Sequence, residues 1–291
     1  MSARRRFTGL LHGMLLVLLA AYSIFPIYMV TIESLKTVDE DVHGSPFYVL
    51  HPSLEWYQDL WEPTGWLVHG NTGYIERPAV PFLVWSENTA IVFAATLAVI
   101  LTSSLMAGYA LGRLRIPGWR WWRRVLLATF LIPQTLLFLP IYHLVFRLGL
   151  DDHLLALVLT YPFLAIPFCA WLFSVYFQKL SPEIEESAYI EGANRFTAFL
   201  RIVIPMSQPV IIAAGLFALG VISSDFMFAG VFLPNQWHQT LAAGLATMDV
   251  SLEDLTVVSG VSLGGLPVLL IAALFAGSYV RGLTAAMIEG A

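Results

Sequence analysis

Charge is scarce in this chain. Charged residues hold 12% of the 291 positions and hydrophobic residues 58%, whereas a soluble domain carries roughly 25% charged residues. That shortage excludes an ordinary water-soluble globule. Cysteine is scarcer still. Cys169 stands alone inside an apolar run, so no internal disulfide framework exists, and the residue reads as a small buried hydrophobe. The chain has no G-x-x-x-x-G-K followed by Ser or Thr and no H-E-x-x-H. It therefore shows no local means of holding a nucleotide phosphate or a zinc ion. The seven histidines are scattered, none at metal-ligand spacing. No cofactor, no metal and no nucleic acid partner is expected, and no soluble-looking stretch is long enough to fold alone.

What the chain has in abundance is long apolar blocks. A helix needs about 20 apolar residues to cross a bilayer, and six blocks qualify: 10–32, 83–112, 125–146, 154–178, 208–232 and 259–280. Helices are the expected state because lipid offers backbone groups no partners. The fold class that follows is all-α, a polytopic membrane protein with six transmembrane helices in one domain. Pro26, Pro133, Pro140, Pro162 and Pro167 lie inside the blocks and predict kinks, since neighbouring helices can serve the freed carbonyls. The first block has a basic start and a small-x-small site at Ala21-Tyr22-Ser23, like a signal peptide. Its apolar run continues to Ile32, which is long enough to span, so an uncleaved helix is expected.

Basic residues set the orientation. With the N-terminus in the cytoplasm, the inner side holds Arg4, Arg5, Arg6, Arg113, Arg115, Arg120, Arg123, Arg124, Lys179, Arg195, Arg201 and Arg281, and the outer side holds only Lys36, Arg77 and Arg147. This is a positive-inside asymmetry, and both termini are expected in the cytoplasm. Trp119, Trp121 and Trp122 stand among the inner arginines, where amphipathic rings suit the headgroup zone. The outer loop 33–80 carries Trp56, Tyr57, Trp61 and Trp66. Trp56, Trp61 and Trp66 are candidate contacts for a partner, since exposed aromatics favour interfaces.

The inner loop 179–207 is the most informative stretch. Ser181 suits an N-cap and Pro182 a first helical position. Glu183 and Glu185 complement the helix dipole, and Gly192 can take the left-handed conformation that stops a helix. Ala188, Tyr189 and Ile190 are expected to form an apolar knob beside the charge of Glu186. A second short helix with Phe196, Phe199 and Ile202 then runs to Pro205. Two short amphipathic pieces between spanning helices can act as a lever on a cytoplasmic partner, or lie on the headgroups as an interfacial hairpin. Physics alone leaves both readings open.

Glu186-Ser187-Ala188, then Gly192, Ile202 and Ile204-Pro205 resemble the EAA motif of permease subunits in binding-protein-dependent ABC importers. That pattern is Glu-Ala-Ala, three residues, Gly, nine residues, Ile, one residue, Leu-Pro. All spacings match; Ser187 replaces Ala and Ile204 replaces Leu. Asn88-Thr89, the stretch from Gly108 to Gly118 with Gly112, Arg113 and Pro117, and the tail from Val280 to Gly290 are similar to the carbohydrate-uptake branch, which imports maltose-type sugars and glycerol-3-phosphate. Glu289 stands where that branch commonly has Lys. The resemblance implies the type I importer permease fold, a prokaryotic cytoplasmic membrane, a second related permease, two ATPase subunits and an extracytoplasmic solute-binding protein. It implies an ATPase-coupling role for Glu186, Ser187, Ala188, Tyr189, Ile190, Gly192, Ile202 and Pro205, and a cytoplasmic tail from 281 to 291.

Ser224-Asp225-Phe226 lie within the fifth block. An intramembrane acid is costly and turns toward a bundle interior or a cavity. Asp225 is a candidate for the translocation pathway, with Ser224 and Phe226 beside it, or a structural acid paired to a neighbouring helix. Gly260-Val261-Ser262-Leu263-Gly264 matches the G-x-S-x-G nucleophile pattern, but it opens a spanning block with no base in view, and small residues there favour close helix packing. A secondary transporter or channel, and an intramembrane hydrolase built on Ser262, are the alternatives; neither explains the spacing of the inner loop.

Overall fold

The computed structural model describes residues 3–61, 65–68, 74–77, 80–248 and 250–287. Helices dominate. In chain order they are α1 (Ala3–Glu33), α2 (Val38–His43), α3 (Glu55–Asp59), α4 (Phe82–Tyr109), α5 (Trp119–Phe130), α6 (Gln134–Arg147), α7 (Leu154–Lys179), α8 (Pro182–Ile190), α9 (Arg195–Ala198), α10 (Ile204–Met206), α11 (Gln208–Ser224), α12 (Met227–Phe232), α13 (Leu241–Thr247) and α14 (Val250–Met287). Between α3 and α4, β1 (Gly65–Val68) and β2 (Tyr74–Arg77) pair antiparallel, with Gly65 opposite Arg77. This small hairpin was not anticipated in the outer loop.

Four helical stretches among the described residues are long and apolar enough to cross a membrane: Leu11–Glu33, Phe82–Leu114, Leu154–Lys179 and Leu255–Gly282. The number reaches six when two bent helix pairs each count as one span. One bent pair replaces the single kinked helix expected for the third block. α5 and α6 meet at 93°, and Pro133 stands ahead of α6 rather than inside a helix. Proline lacks an N–H and pushes the preceding residue out of the helical region, so Ile132 and Pro133 end one helix and begin another. Pro26, Pro140, Pro162 and Pro167 do lie within continuing helices. The fifth block also differs from expectation. α11 stops at Ser224, Asp225 is extended at φ −82° and ψ 121°, and α12 starts afresh at Met227.

The chain divides into two compact units, one of residues 1–83 with 245–266, the other of 84–244 with 267–291. In the first, the outer loop is folded rather than splayed. Lys36 is buried and pairs with Glu33 at 2.7 Å. Trp56 Nε1 donates to the Lys36 carbonyl at 3.0 Å, and the Tyr57 hydroxyl meets Ser34 Oγ at 2.7 Å. Trp56 and Tyr57 are therefore internal struts, and Trp56 is not the free docking aromatic expected of it. Trp61 is exposed on one side and meets Phe82 edge-on at 5.9 Å; the side chain of Trp66 lies outside the described residues. Ser262 takes a hydrogen bond from Tyr57 at 3.2 Å, and a Cβ on Gly260 would collide with Leu245. The G-x-S-x-G copy thus serves helix packing.

The second unit is built around α7. A helix apolar on every side belongs in a bundle interior, and α7 buries residues along its whole length. Toward one end, Cys169, Leu172, Phe173 and Phe177 pack with Ile100, Leu105 and Tyr109 of α4 and with Val210, Ala213 and Ala214 of α11. Toward the other end, Leu157, Tyr161 and Leu164 pack with Val92, Val145, Phe228 and Phe232. Asn88 and Thr89 have a local task here: Asn88 donates to the carbonyls of Trp237 and Gln239, and Thr89 Oγ1 accepts from the Leu241 N–H.

Candidate coupling site

The site begins where α4 ends. Gly108 and Gly112 lie one turn apart, and a Cβ on either would strike Phe173 or Ser174 of α7. Small residues at this spacing let two helix backbones approach closely. After Tyr109 the helix widens into a π turn, Ala110–Leu114, and Arg115 then turns left-handed at φ 48°. Arg113 leaves this turn toward α8. Its Nε donates to Glu185 Oε1 at 3.0 Å, its Nη1 to the Leu180 carbonyl at 2.9 Å and its Nη2 to the Ser181 carbonyl at 3.2 Å. Glu185 Oε2 accepts from the hydroxyls of Tyr189 at 3.2 Å and Tyr109 at 3.4 Å. One arginine thereby ties the end of a spanning helix to the start of the loop helix. Both charges are largely shielded, with side-chain exposures of 14% and 8%.

In the sequence Glu185 reads only as a complement to the helix dipole and Arg113 as one of several inner arginines; their pairing is not legible there. The available signal was the arginine directly behind a Gly-x-x-x-Gly pair, which fixes its distance from the facing helix. Ser181 occupies the N-cap position of α8, but its side chain makes no capping bond; its contribution is the carbonyl offered to Arg113.

α8 itself is nine residues long and ends as expected, with Gly192 at φ +90°. Asn194 Oδ1 then accepts from the Thr197 N–H at 2.8 Å and starts α9. A second π turn, Phe199–Val203, leads to α10 and Pro205. The outward face carries Glu186, Ser187, Tyr189 and Ile190, with Ile190 87% exposed and Phe196 of the next turn 68% exposed. Ala188 does not belong to this knob. It is buried, because its side of α8 faces the chain's own interior. Ile202 is half-buried and Pro205 exposed. Beside Glu186 and Tyr189 lies a cavity of about 380 Å³, walled by Arg113, Arg115, Gln178 and Arg195. An acid and three apolar side chains stand proud of the surface, and basic groups stand behind them.

Asp225 is accounted for within the chain. Tyr161 of α7 donates to its Oδ2 at 2.8 Å. The N–H groups of Phe228 and Ala229 donate to Oδ1 and Oδ2, each at 3.2 Å. It thus caps α12 and pins it to α7, as an N-terminal acid should. Tyr161 escaped notice in the sequence, although a hydroxyl within an apolar helix demands a partner. Ser224 bonds back to the Gly220 carbonyl at 2.8 Å, and Phe226 is exposed.

Residues 79–263 match the family model described as binding-protein-dependent transport system inner membrane component. The chain belongs to this family. The matched segment runs from α4 into α14 and includes the Arg113–Glu185 latch and all of α8. The permease is 29% identical over 205 residues to the probable ABC transporter permease protein YurM of Bacillus subtilis, covering 70% of this chain and 68% of that one. It is 24% identical over 283 residues to the trehalose/maltose transport system permease protein MalG of Thermococcus litoralis, covering 94% of each. The crystal structure of a bacterial ABC transporter that imports the acidic polysaccharide alginate contains a chain that superposes with a TM-score of 0.75 at 19% identity, covering 95% of the permease and 98% of that chain. At that identity the likeness concerns the fold, that of an ABC importer permease.

Proposed function

We propose that this permease carries a sugar or sugar-like solute toward the cytoplasm and receives the driving motion through α8 from a separate ATPase subunit. The exposed Glu186, Tyr189, Ile190 and Phe196, on a helix latched to α4 through Arg113, are the observation that carries the reading. The chain holds no phosphate-loop sequence of its own, so the hydrolytic site belongs on a partner. A second permease, two ATPase subunits and an extracytoplasmic binding protein complete the assembly. The sugar assignment draws on the relative named for trehalose/maltose transport.

Glu186→Ala and Gly192→Val test the coupling role and should fail differently. Glu186 contributes a charge at an interface, where losing one member of a pair leaves the other unpaired. Its removal should weaken ATPase-subunit association by roughly tenfold. A β-branched residue at the φ of Gly192 is strained by about 1–3 kcal/mol, which should distort the turn and impair assembly more broadly. Both variants should still insert in the membrane. Purified complexes assayed for ATPase activity and vesicle uptake decide the matter: unchanged transport in both variants would remove α8 from the coupling path.

Orientation and pathway share one labelling experiment. In the proposed topology His51 faces outward and α8 inward, and the break at Asp225 lines the solute route, since irregular backbone at membrane depth lies against protein or a watery cavity. The one native cysteine, Cys169, is buried. Cysteines placed at His51, Glu183 and Phe226 should behave distinctly toward an impermeant maleimide. His51→Cys should react from outside and Glu183→Cys only after permeabilisation. Phe226→Cys should react with a small water-soluble reagent in the assembled transporter. Equal labelling of the first two from outside sinks the topology, and an inert Phe226→Cys sinks the pathway reading.

A further inference from the structure

The N-terminal half of α5 breaks a local rule. A helix N-terminus is the positive end of the backbone dipole and favours acids, yet Arg120, Arg123 and Arg124 gather in the first two turns of α5, with Arg115 just ahead. Arg113, a few residues away, found Glu185. These four have no hydrogen bond or ion pair to a carboxylate among the described residues. Three of them converge on one ring instead: the guanidinium carbons of Arg115, Arg120 and Arg123 lie 6.0, 5.2 and 5.5 Å from the centroid of Trp119. Cations over one aromatic face gain from its quadrupole, but they repel each other. Arg123 Nε is buried with no hydrogen-bond partner, and a buried charged donor left unserved costs free energy.

Against this cluster lies a cavity of about 310 Å³ lined by Trp119, Arg120, Arg123, Arg124, Leu127 and Trp171. Its lining joins three arginines from the first two turns of α5 to apolar surface from Leu127, one turn further along α5, and the indole of Trp171 on α7. Below them α5 is fastened by Phe130 against Phe168 and Phe217, at 5.0 and 5.8 Å. No acid lines the cavity. A ligand for it needs an anionic head with several acceptor oxygens and an apolar body that continues along α5 and α7. Arginine's planar fork suits phosphate oxygens.

We infer that this cavity binds the phosphate headgroup of an anionic phospholipid, which supplies the counter-charge that α5 lacks. The bound phosphate accepts from Arg120, Arg123 and Arg124, and the glycerol and upper acyl chain lie along Leu127 and Trp171. The lipid acts as a fixed anion at the helix N-terminus and holds α5 against α7. Membership in the inner leaflet rests on the topology proposed above; the binding itself does not.

Native mass spectrometry of the purified full-length permease in detergent tests the inference, with phosphatidylglycerol and phosphatidylcholine as probes. The wild type should retain phosphatidylglycerol preferentially. Juxtamembrane basic residues contribute about fivefold each to anionic-lipid affinity, so the Arg120→Gln/Arg123→Gln/Arg124→Gln variant should lose that preference by on the order of a hundredfold. Arg123→Gln alone should lose about fivefold and remains readable where the triple variant does not insert. Equal retention of the two lipids by the wild type, or unchanged retention by Arg123→Gln, overturns the inference. So does displacement of the lipid by millimolar inorganic phosphate, which would mark a free-anion site. Loss of ATPase-subunit binding with lipid preference intact would make the cluster a protein interface and overturns it too. Because retention is blind to the leaflet, its outcome is independent of the labelling that tests topology.

Discussion

Arg113→Ala should unfasten α8 from the membrane helices and abolish transport while leaving the chain inserted. The substitution removes three donors at once: Glu185 loses its only cationic partner in the latch, and the carbonyls of Leu180 and Ser181 lose theirs. Glu185 is buried, and removing one member of a buried ion pair costs about 3–5 kcal/mol, chiefly through the charge left behind. Glu185→Gln is the informative companion. It keeps one acceptor oxygen, for Arg113 or for the two tyrosine hydroxyls but not for both sides, leaves no buried carboxylate charge and spares the bonds from Arg113 to the Leu180 and Ser181 carbonyls, so it should cost less than Arg113→Ala. Arg113→Met combined with Glu185→Met should recover part of the loss, because no uncompensated charge remains, but not all, because Leu180 and Ser181 stay unserved. Thermal unfolding of the purified permease and vesicle uptake measure the two effects separately. Wild-type uptake by Arg113→Ala would show that the latch carries no force.

The second large effect is expected from Gly112→Val. A Cβ at Gly112 falls 2.5 Å from the Ser174 carbonyl oxygen. That oxygen is backbone within α7 (Leu154–Lys179) and cannot rotate aside. α4 must therefore move off α7, at a cost of about 1–3 kcal/mol for overpacking, and Arg113 moves with it. The substitution should then reproduce part of the Arg113→Ala phenotype although it touches no charge. Gly277→Ala is the control. A Cβ there meets nothing within 4 Å, and alanine is the better helix former by about 1 kcal/mol, so stability should hold or rise. Identical behaviour of Gly112→Val and Gly277→Ala in thermal unfolding would show that the close approach at Gly112 is not tightly constrained.

Several features of the site were legible because they depend on neighbours in sequence. Pro182 opens α8 and Gly192 closes it, since fixed φ and freedom at positive φ are properties of those residues wherever they stand. The break at Pro133 was within reach of the same rules but was read as a kink. Inside an otherwise apolar block, a straight helix and two bent ones share the same composition, and the surroundings decide between them. Ala188 marks a different limit. The pattern Ala-Tyr-Ile reads as one apolar surface, yet the first residue faces inward and the other two outward, because the helix turns about 100° per residue and nothing local says which face is covered.

The chain's amino-acid order by itself determined that the protein lives in a membrane and where its loop helix starts and stops. These follow from apolar length and from short-range backbone preferences. Only the tertiary structure decided which arginine of five near one helix end meets the buried Glu185, that Asp225 is held by Tyr161 from 64 residues away, and that Trp56 is a strut rather than a docking contact. Charges of one sign are interchangeable along a sequence. They become distinct when close helix approach, set here by Gly108 and Gly112 against Phe173 and Ser174, brings one of them within hydrogen-bonding reach of a buried carboxylate and leaves three others gathered over the Trp119 ring.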